Sequence, residues 1–184
     1  FLVDVRRVHF NPRLAFEHDR IVRLTVEGET VWDMFSGIGC FAVLIAKTHP
    51  TVTVYASDVN PDAYGYLQRN IELNKVQGRV IPLNRDAAHA ASNELRGRMD
   101  RIIMDLPSNA LDFLPAACQA LKAEGGVIHV YSFTAETPPF RNTRELVERN
   151  LKSLGWTTVN VTAARKVRSS APHEWMVAID TKVG

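Results

Sequence analysis

Thr30-Val31-Trp32-Asp33-Met34-Phe35-Ser36-Gly37-Ile38-Gly39-Cys40-Phe41-Ala42 is a β-rich apolar run that breaks at two glycines and resumes with helical spacing. Thr30–Phe35 reads as a strand, and Cys40–Thr48 as a helix with Phe41, Leu44 and Ile45 on one face. Gly37 and Gly39 permit a tight turn and let a ligand approach backbone N–H groups at the helix start. Gly37-x-Gly39-x-x-Ala42 satisfies a loose dinucleotide fingerprint, and Asp58 follows 19 residues after Gly39, near the ~20 expected of a ribose-binding acid. A tight β–α turn without a ligand would look the same.

The alternation continues downstream. Val52–Val59 reads as a strand, Asn60-Pro61-Asp62 as a capped helix start and Ala63–Asn74 as a helix. Val80–Leu83, Arg101–Met104 and Val127–Phe133 are further strands, and Leu111–Ala123 and Thr143–Leu154 further helices, the last stopped by Gly155. Thr157–Thr162 and Trp175–Thr181 alternate as a half-buried antiparallel pair would. This pattern predicts a doubly wound, mostly parallel α/β sheet of Rossmann-like form, closed by an antiparallel C-terminal hairpin.

Composition limits the function classes. The chain has 184 residues, 46% of them hydrophobic and 23% charged, which suits a packed domain and argues against disorder. No apolar run approaches the ~20 residues of a membrane-spanning helix. Two cysteines, Cys40 and Cys118, make neither a disulfide framework nor a four-cysteine zinc site, and no metal site is expected. They fit an intracellular protein, expected first in the cytoplasm, with nucleus and mitochondrion as the alternatives. A net charge of +2 does not announce a nucleic-acid binder, although the C-terminal end carries a mild basic bias.

In an open α/β sheet, ligands bind beyond the carboxyl ends of the strands. Four successive strand ends carry an acid: Asp33, Asp58, Asp86 and Asp105. Asp58 can accept from ribose hydroxyls, and Asp86 from an adenine N6 amine unless it simply makes a surface turn. Asp33, four residues before Gly37, would repel a pyrophosphate but hold an ammonium or sulfonium group. S-adenosyl-L-methionine has both cations and no phosphate, so the acid favours it over NAD. Asp105-Leu106-Pro107-Ser108 occupies the strand end where nitrogen methyltransferases orient a target nitrogen. Glu17 and His18 could supply a general base and a cofactor contact, or merely a charged, solvent-facing helix turn.

Together these pieces resemble the tRNA (guanine-N1)-methyltransferases of archaeal and eukaryotic type, which act at tRNA position 37 beside the anticodon. The resemblance rests on Asn11–His18, Asp33–Phe41, Asp58–Pro61, Asn70–Val76, Asp105–Pro107 and Arg165–Pro172. It implies a class I methyltransferase domain at 29–184, preceded by a connecting segment 1–28 carrying Glu17 and His18. It also implies tRNA-binding domains upstream of this chain, a monomer, and tRNA as the partner, with no membrane association.

By position in the family, Glu17 is the general base for the guanine N1 proton. His18, Asp33, Phe35, Gly37, Gly39, Asp58, Val59, Asp86, Ala87 and Asp105 are the expected cofactor residues. His9, Arg13, Pro107, Arg165, Lys166 and Arg168 are expected to meet the target base or the RNA. Asp105 is also expected to act in catalysis, and it departs from the Asn that the family usually carries there. The alternatives are aminocarboxypropyl transfer to tRNA in wybutosine synthesis, an NAD(P)-dependent oxidoreductase, and a non-catalytic RNA-binding module.

Overall fold

The computed structural model describes residues 1–8, 10–138 and 140–184; His9, one of the expected substrate contacts, lies outside the described residues. The chain divides into two compact units, Phe1–Ala90 and Ala91–Gly184. The segment 1–28 falls within the first of them.

The first unit opens with a 3-10 turn, Pro12–Leu14, that leads into α1 (Ala15–Leu24). It continues with β1 (Thr30–Asp33), α2 (Cys40–Thr48), β2 (Thr53–Ser57), α3 (Pro61–Leu73), β3 (Val80–Leu83) and the start of α4 (Ala87–Ser92). The strands are parallel in the order β3-β2-β1, with Asp33 opposite Ala56 and Ser57 opposite Leu83. This register brings the three carboxyl ends to one edge. Parallel neighbours require a crossover, and α2 and α3 supply it. Val31 and Trp32 of β1 and Ala42, Val43 and Ile45 of α2 are fully buried, so the apolar run on either side of the glycines is the core of this unit. Asn60 caps α3 by accepting from the Asp62 N–H at 3.0 Å, and Pro61 occupies the first helical position.

The second unit contains β4 (Arg101–Met104), α5 (Leu114–Ala120), β5 (Gly126–Thr134), α6 (Arg141–Ser153), β6 (Val159–Ala171) and β7 (Glu174–Val183). Its strands follow the order β4-β5-β7-β6, parallel between β4 and β5 and antiparallel thereafter. The α/β class, the mostly parallel pairing and the antiparallel C-terminal hairpin are therefore as expected. At Gly125 (φ +98°) a Cβ would run into the Val183 carbonyl, so only glycine fits beside β7.

Buried polar side chains tie β4, β5 and β7 together. Arg101 Nη1 lies 2.7 Å from His129 Nε2, and His129 Nδ1 lies 2.7 Å from Asp180 Oδ1. Since a guanidinium only donates, His129 accepts at Nε2 and donates its Nδ1–H to the carboxylate.

Two expected elements differ from those observed by more than a residue or two at their ends. The helix expected over Leu111–Ala123 is a 3-10 turn, Ala110–Phe113, followed by the shorter α5. Pro115 has no N–H and fits only the first turn of a helix, and Leu121 is extended and bridges Met99. The first strand of the hairpin, expected over Thr157–Thr162, runs on to Ala171. Register shifts at Val161/Ala163, Lys166/Arg168 and Ser169/Ala171 interrupt its alternation. Arg165, Lys166 and Arg168, part of the basic C-terminal end, are thus strand residues.

Candidate active site

Two left-handed glycines shape the turn between β1 and α2, Gly37 at φ +53° and Gly39 at φ +90°. The left-handed backbone at Gly39 strains any other residue, and a Cβ there would also press on the end of the Leu67 side chain, which would have to shift. The Ser36 N–H donates to the Ser57 carbonyl at 2.8 Å, and the Gly39 N–H to the Ser36 carbonyl at 2.8 Å. Ser57 Oγ in turn accepts from Trp32 Nε1 and donates to the Met34 carbonyl, both at 2.9 Å. The turn is therefore pinned to the end of β2.

Asp58 completes that connection. Its Oδ2 accepts from the Gly37 N–H at 2.8 Å and its Oδ1 from the Asn60 N–H at 2.9 Å. Asn84 braces the same loop, donating to the Asp58 and Val59 carbonyls at 2.9 and 3.2 Å. Val59 itself is 70% exposed, an apolar surface left beside a fixed acid. At the next strand end, Asp86 caps α4 through Oδ1, which accepts from the Ala88 and His89 N–H groups at 2.9 and 3.2 Å. Ala87 is buried behind it.

Asp33 ends β1 with its carboxylate fully buried, and Phe35 is half-buried just beyond it. Ser36 Oγ is buried with no hydrogen-bond partner among the described residues. Sequence reasoning passed over Ser36, although its place before Gly37 in the turn was the available signal. A buried hydroxyl without a partner is uncommon and calls for a ligand or a water. With an acid ending β1, acids following β2 and β3, and an exposed apolar residue, this edge fits a ligand with cations, hydroxyls and a flat apolar ring.

Helix α1 presents the second cluster. Glu17 is 0% exposed, and its Oε1 accepts from Arg20 Nε at 2.8 Å and Arg20 Nη2 at 2.5 Å. This i, i+3 guanidinium grip fixes the carboxylate. Arg20 was missed in the sequence, where the Glu17-x-x-Arg20 spacing was its only signal. His18 is 8% exposed and packs edge-on against Phe41 of α2, with ring centroids 4.5 Å apart at 82°. Burial lowers its pKa to about 4 against the opposing pull of the Glu17 charge, so the ring is neutral near pH 7. A charged, solvent-facing turn is excluded for both residues. Arg13, by contrast, is exposed, and its backbone N–H is held by the Asn11 side chain at 3.1 Å.

In the second unit, Asp105, Leu106 and Pro107 leave β4 half-buried. The Pro107 carbonyl accepts from the Phe133 N–H at 3.1 Å and the Leu106 carbonyl from the Asn109 N–H at 2.9 Å, which fixes the course of this loop against β5. On β6, Arg165 and Arg168 are half-buried and Lys166 is exposed, its Nζ 3.4 Å from the centre of the Trp175 ring. No cluster of three or more His, Cys, Asp or Glu able to hold a metal ion occurs among the described residues. Nor is any helix among them long and apolar enough to cross a membrane.

Comparison with known proteins places this geometry. The TRM5/TYW2 methyltransferase domain family matches residues 1–159. A tRNA (guanine(37)-N(1))-methyltransferase Trm5b of Pyrococcus abyssi is 41% identical over 98% of this chain and 52% of its own length. Its crystal structure superposes with a TM-score of 0.87 over 99% of this chain. The complex of aTrm5 with tRNALeu is 34% identical, with a TM-score of 0.84 over 99% of this chain and 49% of that one. TYW2 of Methanocaldococcus jannaschii in complex with AdoMet is 33% identical, with a TM-score of 0.86 over 98% of this chain and 80% of that one. The chain spans about half the length of the Pyrococcus relative. On the match over most of its length, it belongs to the TRM5/TYW2 methyltransferase domain family.

Proposed function

We propose that this domain carries out S-adenosyl-L-methionine-dependent methylation of guanine N1 at position 37 of tRNA, the reaction named for its Pyrococcus relative. The cofactor, when bound, supplies an electrophilic methyl group on a sulfonium. Asp33 would face its cationic end, and Ser36 Oγ is available to one of its polar groups. Asp58 would accept from the ribose hydroxyls while its carboxylate stays fixed by the Gly37 and Asn60 N–H groups. Val59 would cover the adenine, with Asp86 and Ala87 at its edge.

The observation that carries the reading is Glu17. A fully buried carboxylate held in a guanidinium grip costs more to desolvate than a surface ion pair, and its position needs a use beyond solubility. Guanine N1 bears a proton and becomes nucleophilic only when that proton leaves. Glu17 removes it, and Arg20 keeps the carboxylate in place while it does so. His18, neutral and packed on Phe41, supports the site without adding a cation near the methyl donor. Asp105, in place of the usual Asn, accepts a hydrogen bond from the guanine edge. Arg165, Lys166 and Arg168 supply phosphate contacts.

Methyl-labelled S-adenosyl-L-methionine incubated with unmodified tRNA, followed by nucleoside mass spectrometry, tests the assignment. The expected product is guanine carrying one methyl group at N1. A four-carbon aminocarboxypropyl adduct would instead assign the chain to the second chemistry. Unmodified nucleosides from the full-length protein, shown to bind both S-adenosylhomocysteine and tRNA, would contradict both.

A further inference from the structure

One motif of the sequence, Asn70–Val76, has no part in the site described above, yet its first residue reaches the glycine turn. Asn70 is an interior residue of α3 and is 0% exposed. Asparagine is a modest helix former, and burying its amide costs free energy unless its hydrogen bonds are made. They are made to two separate pieces of chain. Nδ2 donates to the Ile38 carbonyl at 3.0 Å and to the Leu2 carbonyl at 3.0 Å, while Oδ1 accepts from the Leu2 N–H at 2.6 Å. Both carbonyls can only accept, so the orientation of the amide is fixed and both of its N–H groups are used.

The two pieces joined in this way matter for different reasons. Ile38 is the residue between the two left-handed glycines, and its carbonyl direction is part of what defines the turn. Leu2 belongs to an N-terminal strap, residues 1–8, and its side chain is 49% exposed, so its backbone rather than its side chain is docked. Further along the strap, Val8 packs with Ile38 and Ala63. The Arg7 carbonyl accepts from Asn60 Nδ2 at 3.3 Å, and Arg7 Nη1 meets Asp62 at 3.4 Å. The strap thus follows the start of α3 and contacts the turn both through Val8 and through the Asn70 amide.

We propose that Asn70 is a positioning residue that couples docking of the strap to the shape of the Gly37-Ile38-Gly39 turn, and thereby to affinity for the cofactor. The second half of that statement rests on the reading that the turn receives S-adenosyl-L-methionine. When the strap is docked, the amide is held from the Leu2 side and its remaining N–H is aimed at Ile38. When the strap leaves, the amide loses two of its three bonds and is free to rotate, and the Ile38 carbonyl loses its donor.

The test uses isothermal titration of S-adenosylhomocysteine together with amide hydrogen exchange at Gly37 and Gly39, in the intact chain and three variants. Leu2→Pro removes one strap donor at a residue that is 49% exposed, so the change buries no new side chain. Asn70→Leu removes the amide, and the third variant combines both changes. The expected loss of affinity is about 3-fold for Leu2→Pro and about 10-fold or more for Asn70→Leu, with the double variant within about 2-fold of Asn70→Leu alone. Exchange at Gly39 should quicken in each.

A structural role limited to α3 would leave Leu2→Pro at wild-type affinity with unchanged exchange at Gly37 and Gly39, and that result overturns the proposal even if Asn70→Leu fails to fold. Independent, multiplying effects in the double variant would overturn it too. If the unaltered chain fails to bind S-adenosylhomocysteine, the cofactor reading falls, and the response of Gly37 and Gly39 exchange to Leu2→Pro then decides the coupling alone.

Discussion

Asp58 and Glu17 are both carboxylates of the first unit, yet they are held by different means. Asp58 is half-buried and gripped by backbone N–H groups, those of Gly37 and Asn60. Glu17 is fully buried and gripped by a side chain, the Arg20 guanidinium one helical turn away. A backbone grip sets a binding surface whose shape depends on the turn, and substitution nearby changes that shape. A side-chain grip sets the position of one reactive group, and it can be removed while the turn stays intact. On the proposed function the difference separates binding from chemistry, and variants can drive the two apart.

The largest effect is expected at the turn. Gly39→Ala places a Cβ against Leu67 in a left-handed backbone, at a cost of about 3 kcal/mol from strain and overpacking together. Calorimetry should show S-adenosylhomocysteine binding lost and the melting temperature lowered. Binding retained at wild-type strength would mean that the turn does not receive the cofactor.

Arg20→Gln should act on the other side of the comparison. Loosening the Glu17 carboxylate should slow single-turnover methyl transfer about 10-fold and cost about 2 kcal/mol of stability, because Arg20 keeps some solvent contact. Affinity for S-adenosylhomocysteine should change little. An equal loss in both readouts would erase the separation between the two regions.

The smallest effect concerns His18 and pH. Its folded pKa of about 4 lies below the ordinary 6.5, so the unfolded chain takes up a proton that the folded one refuses. The stability that follows is complete above about pH 6.5 and is lost as the pH falls toward 4. Urea unfolding should therefore show the wild type losing about 2 kcal/mol more than His18→Gln between about pH 7 and pH 5. Parallel curves would mean that His18 is protonated as readily in the folded chain as in the unfolded one.

The same contrast explains what could be read from the residues alone. Cys40–Thr48, Val80–Leu83 and Arg101–Met104 have the limits expected of them, because apolar periodicity and flanking turn residues mark both ends. The glycine turn and the Asn60 cap were legible because backbone geometry demands particular residue types at particular spacings. Arg20 and Ser36 were not, and Asn70 stood out only as the start of a matching stretch, without its partners. Each acts through a side-chain hydrogen bond or its absence, and one-dimensional spacing does not reveal which partner a side chain faces. The long β6 escaped for a related reason, since its bulges break the alternation by which a strand is recognised. The Leu111–Ala123 helix was overextended because an apolar run conceals the point where Pro115 restarts the helix.

The separation of chemistry from binding stands or falls on Glu17. Glu17→Gln keeps the size and much of the hydrogen-bonding capacity of the side chain but removes its capacity to take a proton. Single-turnover methylation of tRNA by this variant, measured beside its affinity for S-adenosylhomocysteine, should fall about 100-fold or more while the affinity stays within about 2-fold of wild type. A rate equal to wild type at unchanged affinity would remove Glu17 as the base and, with it, the proposed division between the two carboxylates.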